Sequence, residues 1–76
     1  MKEMIEYVVK ALVDHPEQVE LKELAGERMV MYEAKVADGD QAKVIGRHGR
    51  TIDAIRAIVD AAAKKQGKHG QFELIS

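Results

Sequence analysis

The sequence contains no cysteine, which excludes a disulfide framework and thiolate-bound zinc and fits a reducing compartment. It has one phenylalanine, two tyrosines and no tryptophan, so any core must be aliphatic. It has one proline against 46% hydrophobic and 33% charged residues, a balance that belongs to a compact domain and not to a disordered or collagen-like segment. No apolar run is long enough to span a membrane. The first residues, MKEMIEYVVKALV, are interrupted by Glu3 and Glu6 and followed by no cleavage site, so they do not read as a signal peptide. A cytoplasmic protein is expected.

What remains is 76 residues, one domain near the lower size at which a chain without disulfides or metal buries enough apolar surface to fold. Pairing with a second copy or another protein would help it. The net charge of −1 conceals a division: residues 1 to 40 carry five Lys/Arg against ten Asp/Glu, and residues 41 to 70 carry seven against two. A local basic stripe attracts phosphate whatever the overall balance.

Hydrophobic periodicity gives the order of elements. Ile5, Val8, Val9, Leu12 and Val13 recur at helical spacing and predict an amphipathic helix over 2–14, closed by Asp14-His15-Pro16. Alternation from Val19 to Leu24 and from Val30 to Val36 predicts a hairpin with Gly26 as its flexible turn. Asp38-Gly39-Asp40 breaks the second strand and offers an N-cap carboxylate to a short helix, Gln41 to Ile45. Ile52, Ile55, Ile58, Val59 and Ala62 predict a longer helix ending near Gly67, and Gln71 to Ile75 one final strand. In this α+β order, Met29 and Met31 alternate against Val30 and Tyr32, so one of the two sets faces away from the helices and is available to a partner.

The candidate functional segment is Val44-Ile45-Gly46-Arg47-His48-Gly49-Arg50-Thr51-Ile52. Two glycines three apart permit a sharp turn and remove side chains that would hold a phosphodiester strand away from the main chain. The N-terminus of the following helix points unsatisfied N–H groups at the same place. Arg47, His48 and Arg50 add donors suited to phosphate, and Lys43 and Arg56 stand in reach on either side. Ile45 and Ile52 flank the turn as possible apolar walls for bases. His15 and His69 lie at element ends without spaced ligand partners, so no metal is expected. Thr51 and Asp53 read as helix-start residues, and no nucleophile–base pair or Walker sequence is present, so no enzyme and no cofactor is expected. A second glycine pair, Gly67 to Gly70, lacks an aliphatic lead-in and reads as a turn.

The stretch VIGRHGRTIDAI resembles the helix–GxxG–helix core of KH domains. A helix and two strands before the turn and one strand after it resemble the type II order: helix, strand, strand, helix, helix, strand, with the helices on one face of a three-stranded sheet. The single domain over 1–76 is most similar to the small stand-alone bacterial KH proteins of the KhpA family. Ala42 stands where that family commonly has glycine, and Arg47-His48 where it often has Lys-Gln; neither change removes a donor. The resemblance implies single-stranded RNA binding, RNA-chaperone or post-transcriptional activity with a second, KhpB-like KH protein or as a homodimer, and influence on cell elongation and envelope synthesis. The alternative is an assembly adaptor that keeps the fold for protein contacts.

Overall fold

A computed structural model describes residues 1–75. Three helices and a three-stranded mixed sheet follow the order α1 (Lys2–Leu12), β1 (Glu20–Ala25), β2 (Met29–Lys35), α2 (Gln41–Ile45), α3 (Arg50–Lys64), β3 (His69–Ile75). Short 3-10 turns at Pro16–Gln18, Asp38–Asp40 and Arg47–Gly49 join them. The strands lie in the order β1-β2-β3, with β2 antiparallel to β1 and parallel to β3. A parallel pair needs a crossover, and the α2–α3 segment is that crossover.

The register places Val30, Tyr32 and Ala34 on one side of β2, level with Gly70, Phe72 and Leu74 of β3. That side meets Ile5, Val9 and Val13 from the first helical segment, Val44 from α2, and Ile52, Ile55, Val59 and Ala63 from α3, all buried in one cluster with Phe72. Met29 is exposed and Met31 half-buried on the opposite side, so the helices cover a single face.

Several boundaries move for identifiable reasons. Helix α1 stops at Leu12, not at 14, because Val13 is extended (φ −101, ψ 161) and the His15 N–H bonds to the Asp40 carboxylate instead of an α1 carbonyl. Ile58 is exposed and Ala63 takes the core position; one residue before Val59, Ile58 is rotated about 100° off the buried line. Gly26 does not use glycine's conformational freedom; the left-handed helix stop is Gly67 (φ 74). There the Lys68 N–H bonds to the Ala63 carbonyl at 3.0 Å and the Gly67 N–H to that of Lys64 at 3.0 Å, a Schellman closure. Asp40 is buried and makes no side-chain cap to α2, which corrects the N-cap expectation.

Asp60 joins α3 to the start of β3: its Oδ1 accepts the Gly70 N–H at 3.2 Å and its Oδ2 pairs with Lys64 at 2.9 Å. The Lys64 hydrogen bond, then the Gly70 N–H, hold its carboxyl below the usual 3.8. A depressed folded-state pKa gives stability that is present above the unfolded value and lost as pH falls through the folded one. Denaturant midpoints measured from pH 6 down to the region below 3.8 should therefore fall less steeply for Asp60→Asn than for the wild type.

Candidate nucleic-acid interface

Helix α2 ends because Gly46 leaves the helical region (φ 79, ψ 172) while its N–H still bonds to the Ala42 carbonyl. His48 (φ 57) and Gly49 (φ 74) then lie consecutively in the left-handed region, and the Gly49 N–H closes the turn on the Gly46 carbonyl at 3.1 Å. His48 is the one non-glycine residue with positive φ among the described residues, and histidine tolerates that region better than most side chains.

Both glycines hold a positive φ, and Gly46 is constrained by packing as well. A Cβ on Gly46 would overlap the Thr51 hydroxyl, so Gly46 is required by packing between the turn and α3. A Cβ on Gly49 would meet nothing within 4 Å; there the positive φ is the constraint, and the space beside it is open to a ligand. Gly49 is also the N-cap of α3 and supplies no side-chain cap, so the first-turn N–H groups are not taken by a side chain. Arg47, His48 and Arg50 are exposed around this turn.

The other candidate residues separate into distinct environments. Ile45 is 40% exposed beside the turn, whereas Ile52 is 7% exposed and packed in the core, because it shares the buried line of α3 with Ile55 and Val59. Lys43 does not extend toward the turn: its Nζ pairs with the Asp14 carboxylate and lies 3.8 Å from Asp40 Oδ1. The bond to Asp14 raises the proton affinity of Lys43 and lowers that of Asp14. Arg56 donates from Nε to the Phe72 carbonyl at 3.2 Å and pairs with Asp53 at 3.5 Å.

Arg56 also leads to residues that sequence reasoning missed. An open groove of about 760 Å³ runs between α3 and the outer edge of β3, lined by Arg28 and Met29 from the hairpin end, by Arg56, Ala57 and Asp60, and by His69 through Glu73. Arg56 lies six residues beyond Arg50, about 9 Å along the helix axis, so α3 links the turn to the groove. The only signal in the sequence was Gly70, whose absent side chain lets β3 approach the Val59 backbone. Among the described residues no group of three or more His, Asp or Glu is placed to hold a metal ion, and no helix is long and apolar enough to cross a membrane.

The profile of the family described as KhpA/KhpB, KH domain matches residues 2–74. The chain belongs to this family of KH domains. Among similar curated proteins, the RNA-binding protein KhpA of Clostridium perfringens is 47% identical over 75 residues, covering 99% of this chain and all of that protein. RNA-binding protein KhpA of Chlamydia muridarum is 45% identical over 75 residues, covering 99% and 96%. That of Borreliella burgdorferi is 40% identical over 73 residues, covering 96% and 89%. No solved structure matches the chain. The KH fold accounts for the parallel β2–β3 pair with the glycine turn in its crossover, and the order of elements is the one the resemblance implied.

Proposed function

We propose that this KH domain is a binding module, not an enzyme, which holds single-stranded RNA by its backbone at the Gly46–Gly49 turn and lays the bases into the groove between α3 and β3. The observation that carries this reading is the turn itself: two consecutive left-handed residues, open space beside Gly49, an uncapped helix start and three exposed cationic or donor side chains converge on one spot. The relatives named as RNA-binding proteins support it. Ile45, Gly46, Arg47, His48, Gly49 and Arg50 form the clamp, with Arg56 on the groove wall. KH folds grip about four nucleotides, and a single such contact is weak. Useful affinity comes from pairing this chain with itself or with a second, KhpB-like KH protein, since linked sites raise effective concentration.

The apolar hollow of Leu24, Ala25, Gly26, Met29 and Met31 favours a protein partner as well as RNA, and it keeps the assembly-adaptor reading as the second choice. On family resemblance, the cellular role is that of a cytoplasmic RNA chaperone acting on transcripts for cell elongation and envelope synthesis.

Backbone amide shifts during titration with a single-stranded RNA oligonucleotide test the assignment. The largest changes are expected at residues 46–50, at Arg56 and at 70–73. Changes confined to 24–31, with the turn unaffected, would transfer the function to the outer sheet face.

A further inference from the structure

The helix that delivers the clamp has little of its own to hold it. Helix α2 is five residues long with Val44 as its buried side chain, and a helix of that length is not stable without tertiary contacts. At its start Asp40 is 1% exposed, the one buried charged residue among those described. A buried carboxylate is costly unless it is paired, and this one is. Its Oδ2 accepts the backbone N–H of His15 at 2.9 Å, across 25 positions of sequence, and its Oδ1 faces Lys43 Nζ at 3.8 Å. Lys43 in turn bonds Asp14. The peptide that terminates α1 is thereby tied to the start of α2 through one buried side chain, six residues before the turn's Gly46.

We propose that Asp40 is a positioning residue for the clamp: its buried carboxylate anchors α2 to the α1–β1 connection and sets where the Gly46–Gly49 turn is presented, with Lys43 belonging to this anchor and not to the phosphate contacts. The inference rests on the clamp reading above. Removing a negative charge near an RNA site strengthens attraction for phosphate if electrostatics alone operate. Loosening the turn instead lowers the fraction of molecules that present it correctly, and the apparent affinity falls by that fraction.

The test compares Asp40→Ala, Asp40→Asn and Lys43→Gln with the wild type. Single-stranded RNA affinity is measured over a range of salt, and amide hydrogen exchange is followed along the chain. With Asp40→Ala, exchange at 41–50 should quicken while β2 and β3 stay protected, and RNA affinity should fall about tenfold if roughly one molecule in ten keeps the turn in place. Its salt slope should be unchanged because every phosphate-facing donor remains. Asp40→Asn keeps an acceptor for the His15 N–H and should recover most of the affinity. Asp40→Ala binding as tightly as the wild type, or more tightly, overturns the proposal.

Lys43→Gln decides the matter even where Asp40→Ala does not fold. An unchanged slope with faster exchange at 41–50 supports the anchor, whereas a slope shallower by about 0.7, the loss of one single-strand phosphate contact, overturns it. Failure of the clamp reading looks different, because Arg47→Asp/His48→Asp would then bind like the wild type. Failure of the anchor alone leaves that pair distinct and the Asp40 variants equal to the wild type.

Discussion

Arg47→Asp/His48→Asp is expected to bind single-stranded RNA at least about 100-fold more weakly than the wild type, since two charge-assisted contacts at about 1.5 kcal/mol or more each are lost. Replacing donors with carboxylates also sets two like charges against phosphate, which pushes the loss further. The fold should survive the change. Both side chains are exposed, and the left-handed backbone at position 48 (φ 57) is one that aspartate adopts more readily than most residues. Circular dichroism and the denaturation midpoint should therefore match the wild type while a fluorescence-anisotropy titration shows the loss. Equal affinity of the two proteins would remove the turn from the interface.

Gly70→Ala is expected to cost about 3 kcal/mol or more, the upper range for forcing atoms into a packed site. The added Cβ would sit 2.5 Å from the Val59 carbonyl oxygen and 2.8 Å from its carbon. Both atoms belong to the backbone of α3 and cannot swing aside as a side chain would. The Gly70 N–H bond to Asp60 lies at the same junction, so α3 and β3 would part where the groove begins. A chain of this size is held by roughly 4–11 kcal/mol in total, so the variant should lose about a quarter or more of its stability, which urea or thermal denaturation would show as a clearly lowered midpoint. Gly39→Ala is the control, with nothing within 4 Å and no positive φ, and should change stability by less than about 0.5 kcal/mol.

These two substitutions mark what the sequence made legible. The glycine turn was readable because its requirements are local: Gly46 and Gly49 punctuate two helices, and donors stand between and after them. The strands were readable because Val30, Tyr32 and Ala34 alternate on a half-buried surface. The groove was not, because its second wall is made by the approach of β3 to α3, and no local period encodes that contact. Asp40 was misread for a similar reason. In Asp38-Gly39-Asp40 a carboxylate before a short helix looks like a cap, whereas its partner, the His15 N–H, is 25 residues away. Lys43 looked like a phosphate donor by its place beside the turn, and its engagement with Asp14 depends on where α1 breaks. Ile58 shows the limit of three-and-four spacing, since several phases of one helix satisfy it and packing selects among them.

The most direct test of the central claim is the salt dependence of single-stranded RNA binding by the wild-type protein, with Arg47→Asp/His48→Asp alongside. Two to four phosphate contacts at the turn and groove give a log–log slope of about −1.5 to −3 for the wild type, and binding by the variant should be too weak to define one. A wild-type slope near zero, or the same slope and affinity in both proteins, would contradict a phosphate clamp at Gly46–Gly49.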